Sequence, residues 1–205
     1  MHLVGLGFDP EDASLAAIMA RHRALRERRA EAILDHVASL RGKRLDLADC
    51  MQPGAEMVTR SHIANALVKH GVVKHRHEAF QDLIGDAHIA HVEMEAYTST
   101  VDTAAAIRAA GGVAVLAHPG MYGDIGRIER LMQGVDGIEI KHPRLDPLLQ
   151  DLLRALAETN GWLLSCGSDF HAEPCRLGEW RLSRGEAGPL LRAAGWRDPI
   201  TGRPA

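Results

Sequence analysis

The stretch Gly161–Glu173, GWLLSCGSDFHAE, is the one around which the chain is organised. The apolar run Trp162–Leu164 ends in small polar residues and then presents Asp169 and His171. That is the pattern of a buried strand delivering a carboxylate and an imidazole to its C-terminal rim. Residues i and i+2 of an extended segment point the same way, so Asp169 and His171 converge if extended geometry persists through Phe170. Carboxylate oxygens and imidazole nitrogens are ordinary ligands of divalent ions.

GGVAVLAHPG repeats the design: two glycines, an apolar run from Val113 to Ala117, then His118 with Pro119 and Gly120 to turn the chain. Unbroken apolar strands belong to parallel sheets buried on both faces, which carry their chemistry at strand C-termini. Between the two stretches lies GVDGIEIKHP, ending in Glu139, Lys141 and His142. Period-two alternation puts Glu139 and Lys141 on one face and turns His142 away. Either member of the pair can reach the rim of His118 or form a strand-end ion pair. From Val101 the cadence is β/α: helix 101–110, strand 113–117, helix 124–133, strand 136–141, helix 146–159, strand 162–166. Leu177–Leu182 reads as one more short strand or edge segment, Pro189–Trp196 as a last helical patch, and 199–205 as a flexible tail.

The front of the chain differs. Met1–Leu6 reads as a short strand that makes His2 a strand residue near the terminus, and Asp9-Pro10-Glu11-Asp12 reads as a helix start capped by Asp9. Leu15, Ile18, Met19, Leu25, Ile33, Leu34, Val37 and Leu40 mark an apolar stripe, and Arg21, Arg23, Arg26, Arg28 and Arg29 make much of the remaining surface basic. Those arginines suit a solvated face or polynucleotide phosphates. Thr59-Arg60-Ser61-His62 opens a second helix, closed by Gly71, where the first-turn N–H groups and the Arg60 guanidinium suit a phosphate or simply cap the helix. His77–Leu83 continues helically, and His88–Glu95 reads as weakly extended.

With 24 Lys plus Arg against 27 Asp plus Glu, no global basic field marks a nucleic-acid coat. Cysteines at 50, 166 and 175 show no C-x-x-C spacing and an odd count, which suits a reducing compartment. No apolar run approaches the length of a membrane span, and no secretory leader opens the chain. The expectation is a cytoplasmic protein without membrane contact.

Taken together, VAVLAHPG, GIEIKHP and GSDFH resemble the PHP superfamily, the metal-dependent phosphoesterases named for polymerase and histidinol phosphatase. The TrpH-like branch, with its nucleoside 3',5'-bisphosphate phosphatases and 5'-to-3' exoribonucleases, is the nearer likeness; HLVGLGFDPED and TRSHIANALVKHG extend it over almost the whole chain. The resemblance implies an α/β fold, a partial or distorted (β/α)7 barrel over 1–8 and 88–198, with a small helical insertion over 9–87. It implies metal ligation by His2, His118, Asp169 and His171, and substrate-phosphate contacts from Arg60 and His62. It implies a divalent metal, Mn first with Zn or Fe as alternatives, and a nucleotide or short RNA substrate.

Three departures accompany the likeness. The family's Gly-Arg-Pro-His is here Thr-Arg-Ser-His, and Met121 and Tyr122 stand where an arginine often comes after AHPG. The His-x-His motif, the Asp-His pair and the bridging Glu of the family's first strands have no counterpart. The expectation is therefore a phosphoesterase lacking its N-terminal part, with a non-catalytic metal- or phosphate-binding remnant, or a subunit completed by another chain, as the alternative.

Overall fold

A computed structural model describes residues 1–92, 95–170, 177–200 and 202–204. The chain divides into two compact units, Met1–Ala16 with Thr98–Ala205, and Ala17–Tyr97.

The first unit is built on a four-stranded sheet in the order β1-β2-β3-β4: β1 (Leu3–Leu6), β2 (Val113–Leu116), β3 (Gly137–Lys141) and β4 (Leu163–Cys166). The last three run parallel, as their unbroken apolar sequences suggest, whereas β1 pairs antiparallel to β2 with Leu3 opposite Leu116 and Leu6 opposite Val113. The sheet is open, which overturns the expected (β/α)7 barrel. Closure couples strand number, tilt and stagger around a ring, and four strands are too few to complete one of seven.

Both faces of β2 are buried, and its residues alternate between two layers. Ala114 and Leu116 pack with Ile138 and Ile140 of β3 beneath α6 (Thr100–Ala109), α7 (Ile125–Leu131) and α8 (Pro147–Asn160), which contribute Ala104, Ile107, Ile128 and Leu153. Val113 and Val115 face Leu190 of α9 (Arg184–Ala193) on the other side. Gly7, at φ +68°, turns the chain out of β1 where any Cβ would overlap the carbonyl oxygen of Ala194.

Three local expectations change. Asp12, rather than Asp9, accepts the N–H of Leu15 at 2.8 Å and starts α1 (Ala13–Arg41); Asp9 instead accepts the N–H of Glu11. Residues 177–182 form no strand. Helix α9 begins well before Pro189, because Ser183 and Glu186 make a reciprocal capping box and Arg154 reaches Glu186 at 2.5 Å.

The second unit is helical. One face of α1 buries Ile33, Leu34 and Val37 against Ile63, Ala64 and Leu67 of α3 (Arg60–Lys69) and against Leu83 and Ile84 of a five-residue π-helical segment, Phe80–Ile84. Short helices α2 (Leu47–Cys50), α4 (Arg76–Ala79) and α5 (Asp86–Ile89) fill the connections, the last taking in His88 and Ile89 at the start of the segment expected to be extended. Met19 and Leu40, included in the apolar stripe, lie exposed. Much of the basic surface is paired: Arg21 and Arg28 both reach Glu95, and Arg23 reaches Glu56. Among the described residues no helix is long and apolar enough to cross a membrane.

Candidate active site

The antiparallel register of β1 explains how a residue at the start of the chain reaches the C-terminal rim of a parallel sheet. Ala117 N–H donates to the carbonyl of His2 at 3.1 Å, one step beyond the Leu3–Leu116 pair. His2 therefore stands beside His118, with Nδ1 of the first and Nε2 of the second 2.9 Å apart and the rings edge to face at 81°. The backbone N–H of His2 donates to the Tyr122 hydroxyl at 2.8 Å, and the Tyr122 ring lies 5.4 Å from that of His118. Burial pushes the Tyr122 hydroxyl above the usual tyrosine range, so it stays protonated at neutral pH.

His118 sits at φ +37°, where non-glycine residues are uncommon, as the chain leaves β2 for the 3₁₀ turn Pro119–Met121. Its conformation is fixed by Glu139 of β3, whose Oε2 accepts the His118 N–H at 2.6 Å. Glu139 is buried, and desolvation pushes its carboxyl above the usual range despite that hydrogen bond and the nearby His118. Lys141 is engaged differently, donating through Nζ to the carbonyl of Arg181 at 3.0 Å.

His142 is the residue that alternation misplaces. A register irregularity between Glu139 and Lys141 lets β3 advance two residues while β4 advances one, from Ser165 to Cys166. Such a bulge re-aims the side chains beyond it. His142 ends 1% exposed, its ring 5.8 Å from that of His118 and its Nε2 3.8 Å from Oδ2 of Asp169. Its Nδ1 accepts the N–H of Arg144 at 3.1 Å, and burial lowers its pKa against the pull of Asp169.

Asp169 lies past the end of β4 at φ +48°, so extended geometry does not continue through it and the i, i+2 argument for His171 lapses. His171 itself lies outside the described residues. Arg60 and His62 occupy the first turn of α3 in the helical unit. Arg60 is paired with Asp86 at 2.5 Å, and His62 Nδ1 accepts the Thr59 N–H at 3.4 Å while the Thr59 hydroxyl accepts the His62 N–H.

Among the described residues, no group of three or more His, Cys, Asp or Glu is placed to hold a metal ion. The donors that do meet fit one in kind and spacing. The 2.9 Å between His2 Nδ1 and His118 Nε2 is a hydrogen bond between the two imidazoles, and two ligand nitrogens about 2.0–2.1 Å from one ion and at right angles would stand about 2.9 Å apart as well. His118 Nδ1 and His142 Nε2 are also buried without a hydrogen-bond partner among the described residues.

The fold is metal-dependent phosphoesterase-like: it superposes on a putative metal-dependent phosphoesterase of Bifidobacterium adolescentis with a TM-score of 0.78 at 26% identity, over 97% of this chain and 72% of that one. The chain is homologous to nucleoside 3',5'-bisphosphate phosphatases and 5'-3' exoribonucleases. It is 36% identical over 187 residues to the 3',5'-nucleoside bisphosphate phosphatase of Chromobacterium violaceum, covering 84% of this chain and 62% of that protein. With the 5'-3' exoribonuclease of Haemophilus influenzae it shares 32% over 182 residues, covering 85% and 65%. The chain thus spans somewhat under two thirds of the length of these relatives. No family model matches it.

Proposed function

We propose that this chain carries a divalent-cation site of the PHP superfamily, TrpH-like branch, that hydrolyses phosphoesters of nucleoside 3',5'-bisphosphates or short RNA. The observation that carries the reading is the 2.9 Å approach of His2 Nδ1 to His118 Nε2 at the strand rim. Homology to a bisphosphate phosphatase and an exoribonuclease supports the substrate class.

His2, His118 and Asp169 would hold the ion, Mn first with Zn or Fe as alternatives, and His171 joins them from the sequence pattern alone. A divalent cation there supplies Lewis acidity toward the phosphoryl oxygens and the attacking water. Tyr122 ties down the backbone of His2 and Glu139 ties down that of His118, so the protein's own groups orient both imidazoles. Arg60 and His62 would receive a substrate phosphate, the guanidinium offering a fork of donors that matches its oxygens. Hydrolysis adds water to phosphorus and releases the ester oxygen as an alcohol.

The test is release of inorganic phosphate from a nucleoside 3',5'-bisphosphate with Mn, for the wild-type chain and for His118→Ala and Asp169→Asn, with Mn binding measured alongside. Expected is turnover that a chelator abolishes and both substitutions reduce by orders of magnitude. Stoichiometric Mn without turnover would favour a binding module, and turnover indifferent to chelator and to both substitutions would sink the reading.

A further inference from the structure

We propose that His142 is a positioning residue for Asp169, donating an Nε2–H hydrogen bond that sets the carboxylate in the orientation a cation requires. The inference rests on the metal-site reading above and extends it to a residue outside the four ligands.

His142 Nδ1 accepts the backbone N–H of Arg144, so its lone pair is committed and, in a neutral ring, the proton resides on Nε2. A protonated ring nitrogen has no lone pair to give an ion, which excludes His142 as a further ligand through Nε2. It is instead a donor. Buried donors are nearly always paired, yet this one has no hydrogen-bond partner among the described residues, and the residue is 1% exposed.

The group facing it is Oδ2 of Asp169, 3.8 Å away. That gap is too long for a hydrogen bond and too short for an interposed water, since two bonds of about 2.8 Å meeting at a water span about 4.6 Å. A shift of the Asp169 carboxylate by about 1 Å makes the direct contact. The Asp169 side chain is 32% exposed, whereas His142 is enclosed. A donor aimed at one oxygen while the remaining lone pairs face a cation is how outer groups orient a ligating carboxylate, and their loss typically costs about 10–100-fold in metal affinity.

The test uses Zn, which is diamagnetic, on the wild-type chain, His142→Gln and His142→Leu. Glutamine places an amide N–H near the position of the ring Nε2–H; leucine fills the space without a donor. Zn affinity by calorimetry should fall about 10–100-fold in His142→Leu and recover to within a few-fold of wild type in His142→Gln. In wild type, histidine nitrogen NMR should show His142 protonated at Nε2 without metal, with that proton retained and shielded from solvent exchange after Zn is added. Equal affinity in all three folded proteins overturns the proposal. So does a His142 that is protonated at Nδ1 or loses its Nε2 proton to Zn, a measurement that needs no variant to fold. A wild-type chain that binds no Zn or Mn sinks the metal-site reading itself, whereas tight wild-type binding indifferent to His142→Leu sinks this inference alone.

Discussion

The N–H of His118 is held by Oε2 of Glu139 at 2.6 Å, a contact between neighbouring strand ends that fixes a left-handed residue at the rim. Glu139 in turn depends on Gly167, because any Cβ there would overlap its other carboxylate oxygen. Glu139→Leu should leave the buried N–H without an acceptor and destabilise the chain by about 1–3 kcal/mol. Glu139→Gln, which retains a carbonyl oxygen, should lose less. Gly167→Ala should also destabilise, by displacing the carboxylate, and urea unfolding of the three variants checks the order.

Tyr122 does for His2 what Glu139 does for His118. Tyr122→Phe keeps the ring beside His118 but removes the oxygen that accepts the His2 N–H. A hydrogen bond of this kind contributes about 1 kcal/mol, or about five-fold in an equilibrium. Mn affinity should therefore fall by about that factor with little change in unfolding midpoint. An unchanged affinity would mean that His2 needs no anchor.

The elements from α6 to β4 are legible in the sequence within a residue or two, because β2 and β3 are covered on both faces and read as apolar runs bounded by Gly, Pro and Asp. The positions of His118 and Asp169 just past strand ends come from the same runs. The features that escape the sequence are relational. Nothing in Met1–Leu6 announces antiparallel pairing, and so the meeting of His2 with His118 cannot be derived from β1 alone. The bulge after Glu139 is equally silent, and without it His142 is assigned to the wrong face. Pro189 misleads by suggesting a helix start, where the Ser183–Glu186 box and a partner on α8 decide it. The barrel is an expectation of family likeness, and four short strands do not close one.

Glu186 gives that contact with α8 a pH signature. Hydrogen bonds from the Ser183 hydroxyl and N–H, and then from Arg154, hold its carboxyl down at about 2. A carboxylate depressed on folding stabilises the native state above its unfolded pKa and loses that contribution as pH falls through the folded one. Glu186→Gln should therefore be less stable than wild type at pH 7. The difference should shrink as pH falls from about 4.5 toward 2, measured by urea unfolding at several pH values. A difference independent of pH would assign the effect to the cap geometry alone.

Arg60 tests the substrate side of the proposed function. Its guanidinium is spoken for by Asp86, but the Asp86 side chain is 86% exposed, and such surface pairs contribute only about 0–1 kcal/mol. A phosphate, with more charge and matching bidentate geometry, can displace that carboxylate at little cost. Arg60→Ala should then weaken nucleotides bearing phosphate far more than the uncharged nucleoside. Asp86→Asn should strengthen the phosphate-bearing ligands by a few-fold, because the competing carboxylate loses its charge while the arginine stays. Both effects should diminish with added salt, since the groups are solvent-facing. Equal losses for nucleotide and nucleoside in Arg60→Ala, together with no gain in Asp86→Asn, would return Arg60 to an ion pair that serves α3 and α5 alone.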